Sequence, residues 1–223
     1  MVVSMATGHH SVDAAAIRAC VEALRPIVLD LAARQPRPRP ERLAGIHNPW
    51  GHAAVLATAW PFLDLCEHAS IVEAVARLIG PDVVLWDSEL HLEAGSYLRF
   101  VEDGREGLYW PATPLAGAIV LVTPARPADP AVCLELAAVP GADLDHVRPA
   151  EPLYVIRYMP ATSLYVRDPH ALRNRAAMEA QPLINYTTRP LWLVAGEDRA
   201  GNDFVTGFSP AVPRWAGTRT EQT

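Results

Sequence analysis

The sequence predicts a mainly β protein with N-terminal helices, an α+β fold, and two observations support that prediction. Up to Gly80 the apolar residues recur at helical spacing, whereas beyond it short apolar or alternating runs are separated by Pro, Gly and Asp clusters. Seven or eight short strands behind a helical third are typical of a sandwich or open barrel braced by helices. The predicted strands are 82–93, 96–101, 117–123, 131–137, 153–159, 163–168, 183–195 and 203–208.

The helical third begins with an amphipathic helix over 11–34, which is expected to break or kink at Pro26. A capping box of Ser70 and Glu73 predicts the start of another helix. The proline-rich segment 35–42 predicts an extended connector. The remaining predicted helices are 51–60, 61–67, 70–78 and 171–180. The expected organisation is a flexible tail over 1–10 and a single domain over 11–223, with its helical third at 11–80 and its β core at 81–210.

Composition limits the possible functions. The 223 residues carry a net charge of −6 and a pI near 5.7, so no basic field is available for nucleic acid or anionic lipid. The sequence contains no lysine, which excludes Schiff-base chemistry through a lysine amine. Three scattered cysteines favour reduced thiols, and no apolar run is long enough to span a membrane. We therefore expect a cytoplasmic protein with a small-molecule partner, and a homodimer remains open.

A row of polar side chains marks the predicted strand from Val83 to Glu93. Alternate side chains of a strand point to opposite faces of its sheet. One face would then carry Asp87, Glu89, His91 and Glu93. The other face would carry Trp86, Ser88, Leu90 and Leu92. The polar row faces either water or a cavity, and we favour the cavity, where crowded carboxylates would suit general acid or base chemistry.

Two groups of residues resemble the phytanoyl-CoA dioxygenase family. The first is GPDVVLWDSEL over 80–90 together with Tyr109, Trp110 and Pro111, and the second is the Asn-x-Thr-x-Arg-Pro of 185–190. The resemblance covers residues 50–195. It implies a double-stranded β-helix (jelly-roll, cupin-like) core. For ordinary members it also implies an oxygenase that depends on Fe(II) and 2-oxoglutarate.

The chain departs from the family pattern at the iron ligands. Ordinary members bind iron through a His-x-Asp ahead of the Tyr-Trp pair and through a distant His. The matching positions here are Gly104, Glu106 and Ala180. A ferrous site of this type needs two imidazoles and one carboxylate. The resemblance therefore implies that the usual iron site is lost.

The 2-oxoglutarate site differs as well. By the resemblance, the family's cosubstrate-binding arginine would fall near Leu191, two residues from Arg189, and its strand lysine matches Glu93. A carboxylate at that place would repel the cosubstrate. We therefore predict that the protein uses no cofactor and has no metal ligands.

Four residues are predicted to be catalytic, namely His91, Glu89, Glu93 and Arg189. His91 and the glutamates would move protons, and the Arg189 guanidinium would clamp an anionic group. The alternatives are structural: a histidine bonded to its acidic neighbours, a solvated strand face and an arginine at a strand end. The predicted substrate-binding residues are Trp86, Arg99, Glu106, Tyr109, Trp110, Tyr165, Arg167, Asn185 and Thr187.

Some of these substrate-binding residues have plain alternatives. Glu106 can form a surface ion pair with Arg105, and Tyr109 and Trp110 can belong to the core. Arg157 also falls on a predicted strand, but its pattern does not settle which face it occupies.

Three functions remain. The leading hypothesis is an iron-independent member of the family that performs an elimination, cyclisation or isomerisation on a small anionic metabolite in specialised biosynthesis. The second is an Fe(II)/2-oxoglutarate oxygenase with an atypical metal site, for instance His91-x-Glu93 joined by His146 or His170. The third is a non-catalytic small-molecule-binding or accessory protein, because fold does not fix function.

Overall fold

An antiparallel sheet of seven strands organises the computed structural model, which describes residues 9–34, 41–126, 130–180 and 186–204. Its strands follow the order β1-β6-β5-β7-β3-β2, and β9 also pairs with β3. A separate pair, β4 and β8, forms a small second sheet. The strands are β1 (His9–Ser11), β2 (Arg42–Ala44), β3 (Val83–His91), β4 (Ala112–Thr113), β5 (Ala118–Val122), β6 (Ala131–Glu135), β7 (Leu153–Pro160), β8 (Leu164–Tyr165) and β9 (Trp192–Ala195).

Helices cover both faces of the main sheet. The α-helices are α1 (Ala14–Arg34), α2 (Trp60–Cys66), α3 (Ala69–Ile79), α4 (Gly95–Glu102), α5 (Glu106–Tyr109) and α6 (Leu172–Ala180). Short 3-10 helices span His52–Val55, Leu136–Gly141 and Tyr186–Thr188. None of the helices in the described ranges is long and apolar enough to cross a bilayer.

Two apolar cores lie on opposite faces of the sheet. The first forms under α1, α2 and α3 and includes Leu90 and Tyr154. The second forms under α4, α5 and the β4–β8 pair and includes Trp86, Tyr109 and Trp110. Every residue of β3 and of β7 is buried. Polar side chains on these central strands must therefore find partners inside the protein.

A β-bulge interrupts β3 at Trp86. Leu85 pairs with Tyr158 and Asp87 with Arg157, which leaves Trp86 without a partner on β7. The extra residue puts Trp86 and Asp87 on the same face, because a bulge shifts the alternation by one position. The prediction that Trp86 lies on the face opposite Asp87 is therefore wrong.

The edge of β3 carries a gap. β2 pairs with Glu89–His91 and β9 pairs with Val83–Leu85, so residues 86–88 face neither strand. The carbonyl of Ser88 accepts instead from the amide of Gly45 at 2.7 Å. The gap lets side chains from the flanking loops reach the bulge.

The mixed α+β class is confirmed, and four local predictions are wrong. Residues 96–101 belong to α4 and not to a strand, because Tyr97 and Phe100 meet the core at helical spacing. The N-cap of α3 is His68, whose Nδ1 accepts from the amide of Ser70, so Ser70 is not the cap. The helix α1 continues through Pro26, so the helix does not break there. Of the predicted strand 203–208, residues 203 and 204 are not in a strand, and residues 205–208 lie outside the described residues.

Other elements are shorter than predicted. Of the described residues 186–195 only β9 is a strand, and residues 183–185 lie outside the described ranges. Of 163–168 only β8 is a strand, and of the predicted helix 51–60 only His52–Val55 and Trp60 are helical. β1 includes two residues of the predicted tail. The division into domains and the jelly-roll topology stay predictions.

Replacing Pro26 should stabilise the protein. A proline inside a helix removes one backbone hydrogen bond and costs roughly 3 kcal/mol relative to alanine. Pro26 is exposed, so Pro26→Ala creates no cavity. We expect the free energy of unfolding in urea to rise by about 1–3 kcal/mol, whereas the neighbouring exposed change Arg25→Ala should leave it within about 0.5 kcal/mol. An unchanged or lower value for Pro26→Ala would contradict the helical backbone at this position.

Candidate active site at a buried ionic cluster

Six charged side chains meet on the face of the sheet that α4 and α5 cover. We call them the ionic cluster: Arg42, Asp87, Glu89, Glu106, Arg157 and Arg189. Asp87 and Glu89 come from β3, Arg157 from the neighbouring β7 and Glu106 from the start of α5. The register places Arg157 directly across from Asp87. The acidic row predicted from the sequence therefore points inward.

Arg157 is the centre of the cluster. Its Nη1 donates to Asp87 Oδ2 and Glu89 Oε2, both at 3.0 Å. Its Nε and Nη2 donate to the two oxygens of Glu106 at 2.6 and 3.0 Å. Burial acts to lower the pKa of Arg157, but the charges of Glu106 and Glu89 raise it well above its ordinary value. One fixed cation thus holds three carboxylates.

Arg42 and Arg189 reach the central group from the edge of β3 opposite β7, Arg42 from β2 and Arg189 from the segment before β9. Arg42 Nε lies 3.4 Å from Glu89 Oε1, and Arg189 forms an ion pair with Asp87 across the gap in the sheet edge. Their side chains keep 13% and 6% exposure, whereas those of Asp87 and Glu89 keep none. Arg42 is therefore the member of the cluster with the largest exposure.

Aromatic rings enclose the cluster. Tyr109 donates its hydroxyl to Glu89 Oε1 at 3.0 Å, and Trp110 Nε1 donates to Glu106 Oε1 at 2.9 Å. The Arg157 guanidinium lies 4.8 Å from the centre of the Tyr109 ring, and that of Arg189 lies 5.6 Å from Trp86. These contacts exclude water and orient the charges.

The pKa values of Glu89 and Asp87 shift in opposite directions. Burial acts to raise the pKa of Glu89, but the guanidinium groups of Arg157 and Arg42 bring it well below its ordinary value. For Asp87 burial dominates and its pKa is raised, although Arg189 acts to lower it. Glu89 is thus the firmly ionised member, whereas Asp87 holds a proton more readily.

His91 ends the polar row of β3 beside Glu89. Its Nδ1 lies 2.7 Å from Ser96 Oγ, and Ser96 donates its own proton to the carbonyl of Glu93 at 2.9 Å. The Nε2 of His91 faces Glu89 Oε2 at 3.5 Å. Burial lowers the pKa of His91, although the hydrogen bond and the charge of Glu89 act to raise it. A neutral imidazole in contact with a carboxylate is a candidate base.

A second buried histidine lies on the opposite face. His47 Nδ1 lies 2.7 Å from Ser88 Oγ, which accepts from the Tyr154 hydroxyl at 3.0 Å. Burial, with a smaller effect from the charge of Arg189, lowers the pKa of His47 to about 3. The ring packs edge-on against Trp192 at 4.6 Å. This chain of hydrogen bonds sits within the apolar core under α1 to α3 and fits a structural role.

The structure brings many of the predicted site residues together. Glu89, His91 and Arg189 lie in or beside the ionic cluster, as do Trp86, Glu106, Tyr109 and Trp110. Glu106 is buried against Arg157, so the alternative of a surface pair with Arg105 is wrong. Tyr165 is buried with its ring 6.1 Å from that of Trp86. The functional roles of these residues stay predictions.

Other predicted residues lie elsewhere. Glu93 follows the end of β3 and is exposed, so it does not continue the inward row. Arg99 is 65% exposed and pairs with the exposed Glu41. Arg167 donates to the carbonyls of Thr187, Arg189 and Asp203, which fits support of the loop and not contact with a substrate.

Thr187 contributes its carbonyl to that support, and its side chain is half-buried. Asn185 lies outside the described residues. These positions were singled out by a local sequence pattern, which gives no information on the direction of side chains outside regular strands.

The residues that the sequence did not single out are Arg42, Tyr97 and Ser96, and the orientation of Arg157 was left open. A signal existed for Arg157, because an arginine in the middle of the apolar run LYVIRYMP is hard to place in a sheet without buried acids. Arg42 and Ser96 carried no such signal, since both follow from tertiary contacts alone.

The described donors do not fit a ferrous site. Among the residues that the structure describes, no three His, Cys, Asp or Glu side chains are grouped to hold a metal. Both oxygens of Glu106, which the sequence resemblance placed at a ligand position, accept from Arg157, so this carboxylate already faces a cation. The half-buried His146 and the exposed His170 lie in turns outside the cluster, and neither is grouped with His91 as a ligand set.

Comparison with known proteins gives structural similarity only. No family model and no curated protein matches the sequence. The chain is similar to the solved structure of CytC3, with 15% identity over 93% of both chains and a TM-score of 0.47. It is also similar to the non-heme monooxygenase ThoJ in its apo form, with 12% identity over 70% of this chain and 75% of that one and a TM-score of 0.40. The resemblance to the phytanoyl-CoA dioxygenase family stays a prediction.

One prediction must be corrected on these matches. A further similar structure is CytC3 with Fe(II) and alpha-ketoglutarate, with 13% identity over 87% of both chains and a TM-score of 0.47. A ThoJ–Ni complex is similar as well. The prediction that no cofactor is involved conflicts with these structures, and we withdraw it.

Removing the central guanidinium should destabilise the fold strongly. Arg157→Met leaves three buried carboxylates without their main partner, and we expect a loss of about 3–5 kcal/mol in the free energy of unfolding. Adding Asp87→Asn, Glu89→Gln and Glu106→Gln should restore part of it. The control Arg126→Met breaks a partly exposed pair with Glu151 and should cost about 1 kcal/mol or less. Equal losses in denaturant titrations of Arg157→Met and Arg126→Met would contradict the central role.

The lowered pKa of His47 makes stability fall on acidification. Its ordinary value of 6.5 applies to the unfolded chain and about 3 to the folded one, so protonation favours unfolding as pH drops below 6.5. The expected slope is about 1.4 kcal/mol per pH unit. His91 acts in the same direction, Asp87 in the opposite one, and Glu89 contributes only below its ordinary pKa of 4.5.

The test compares the wild type with His47→Gln by urea titration between pH 6.5 and 4.5. Only the His47 contribution is absent from the variant, so its slope should be shallower by about 1.4 kcal/mol per pH unit. Parallel slopes would show that His47 is not held neutral by burial.

Proposed function

We propose that the protein is an enzyme that binds a small anionic molecule beside the ionic cluster and moves a proton with His91. The observation that carries the proposal is the His91 imidazole, which is buried, contacts Ser96 through Nδ1 and faces Glu89 Oε2 with Nε2 at 3.5 Å. No other described imidazole lies within ion-pair distance of a carboxylate of the cluster.

The charge arrangement supports an anionic ligand. The three acids are paired with Arg157, and the most exposed side chain of the cluster is that of Arg42, at 13%. A ligand that approaches from solvent therefore meets guanidinium groups first. Guanidinium suits carboxylate or phosphate, because its planar donors match two oxygens at once. Arg42 also stacks over Phe100 and Tyr109, at 5.3 and 5.7 Å, which fixes its direction.

The chemistry that fits this arrangement is proton transfer. In the proposed step the His91 tautomer that carries its proton on Nδ1 takes a proton from the ligand at Nε2 and becomes an imidazolium, which the ionised Glu89 carboxylate at 3.5 Å stabilises. The hydrogen bond from Tyr109 keeps Glu89 in place. Return of the proton at another atom completes an isomerisation, and loss of a leaving group after proton removal completes an elimination.

A first test measures binding. The wild type is first screened for binding of acetate, propionate, succinate, malate, pyruvate and phosphate. The affinity for each anion that binds is then measured by titration calorimetry for the wild type, Arg42→Gln and Arg77→Gln. Arg77 is exposed on α3, on the other face of the sheet, and serves as the matched control. We expect Arg42→Gln to weaken the anion at least tenfold, about 1.4 kcal/mol, and Arg77→Gln to have no effect. Equal affinities in all three proteins would contradict the proposal that Arg42 holds the anion.

A second test measures proton transfer. Exchange of ligand C–H for deuterium in D2O, followed by NMR, should depend on His91, and His91→Gln should slow it about a hundredfold or more. The assay is run with chelator and again with added Fe(II) and 2-oxoglutarate. The proposal fails if exchange persists in His91→Gln. It also fails if the iron-supplemented sample consumes 2-oxoglutarate in a substrate-dependent way.

A further inference from the structure

One arginine outside the ionic cluster ties two chain segments together beside it. The Nη1 of Arg167 donates to the carbonyls of Thr187 and Arg189 at 2.8 and 2.9 Å. Its Nη2 donates to the carbonyl of Asp203 at 2.6 Å. Arg167 follows β8, whereas Thr187 and Arg189 precede β9 and Asp203 follows it. A planar guanidinium holds several acceptors in fixed directions at once, so the backbone of Arg189 is fixed from the side of β8.

The side chain of Arg189 is held by rings that lead back to the same arginine. Its guanidinium lies 5.6 Å from the centre of the Trp86 ring. The rings of Trp86 and Tyr165 lie 6.1 Å apart, and both are buried. The guanidinium of Arg167 in turn lies 5.0 Å from the Tyr165 ring. Arg167 therefore acts on Arg189 directly at its carbonyl and indirectly through two rings.

This support matters because Arg189 reaches the cluster from outside a regular strand. The pairing of β9 with β3 begins at Trp192, and Arg189 precedes it in an irregular segment. The printed register of the sheet thus does not fix Arg189, although its ion pair with Asp87 is buried in the gap of the sheet edge. The contacts with Arg167 supply what a strand ladder would otherwise supply.

The charge balance of the cluster depends on the position of Arg189. The cluster holds three guanidinium groups and three carboxylates, so withdrawal of Arg189 would leave two cations for three buried acids. Asp87 would then be protonated most easily, because burial raises its pKa and Arg189 acts to lower it. The other groups that act on Asp87 are Glu89 of the same strand, Arg157 of β7 and Arg42 of β2.

We propose that Arg167 is a positioning residue, which holds Arg189 in the gap of the sheet edge as the counter-ion of Asp87. The inference goes beyond the proposed function, because it needs neither a ligand nor proton transfer by His91. It gives Arg167 a task other than the substrate binding predicted from the sequence. That task is to keep the buried charges of the cluster balanced.

The test follows the titration of the Asp87 carboxyl carbon by NMR in the full chain, and Asp87→Asn identifies its resonance. Arg189→Gln should move the titration to higher pH, because it removes a cation that favours the charged carboxylate. Arg167→Gln should move it in the same direction by a similar amount. The matched control is Arg173→Gln, which removes another half-buried arginine that donates to a backbone carbonyl, that of Ala112. It should leave the titration unchanged.

Two further variants separate positioning from other effects. Arg167→Lys keeps the positive charge but loses the planar fork that reaches carbonyls of two segments, so it should also move the titration of Asp87 to higher pH. The double variant Arg167→Gln/Arg189→Gln should titrate like Arg189→Gln alone. Once Arg189 is absent, a residue that acts by holding it has no further effect on Asp87.

The proposal fails if Arg167→Gln leaves the Asp87 titration unchanged, or if Arg173→Gln moves it equally. It is also wrong if the shifts caused by Arg167→Gln and Arg189→Gln add in full in the double variant, because Arg167 would then act on Asp87 independently. A wild-type titration in Arg167→Lys would replace positioning with an effect of charge. The amide spectrum checks folding, and Arg167→Lys decides the outcome if Arg167→Gln does not fold.

Discussion

The structure depends on one guanidinium group in the middle of a sheet that is buried on both faces. Arg157 stands on β7 directly opposite Asp87 and reaches Glu89 and Glu106 as well. Three buried carboxylates without a cation would cost several kcal/mol each. With Arg157 in place the acidic row of β3 can lie inside, and α5 is fixed to the sheet through Glu106. The polar interior and the position of one covering helix thus follow from the same side chain.

The bulge at Trp86 and the gap beside it set the shape of this polar region. Without the extra residue, Trp86 would point toward α1 to α3, and its ring could not lie beside Arg189 and Tyr109. Without the gap between β2 and β9, a neighbouring strand would fill the place from which Arg189 reaches Asp87. The irregular pairing of this central strand therefore allows Arg189 to join the cluster.

The sequence predicted this region well where alternation alone decided the outcome. Asp87, Glu89 and His91 share a face because they are two residues apart on an uninterrupted part of β3. Trp86 was misplaced because a bulge depends on the partner strand, which one segment does not specify. The orientation of Arg157 was left open for the same reason, because the face that Arg157 occupies depends on how β7 pairs with β3 and β5.

Helix α4 shows another limit of the sequence. The segment 96–101 alternates well enough to suggest a strand, and only its contacts at Tyr97 and Phe100 reveal helical spacing. Tyr97 was therefore missed as a neighbour of His91. The segment is too short for periodicity to decide between the two structures, and the tertiary environment decided it instead.

The two buried histidines explain why one is a candidate base and the other is not. Each ring contacts a serine hydroxyl through Nδ1, but the second ring nitrogens face different groups. The Nε2 of His91 lies 3.5 Å from Glu89 Oε2. The Nε2 of His47 has no hydrogen-bond partner among the described residues.

The surroundings of the two rings reinforce this difference. His47 presents its ring to Trp192 within an apolar core, and the charge that acts on it is the cation of Arg189, which opposes protonation. His91 lies beside an ionised glutamate that can take up the charge when a proton arrives. The same residue type with the same serine contact is therefore inert on one face and able to accept a proton on the other. The position of the ionised Glu89 decides which.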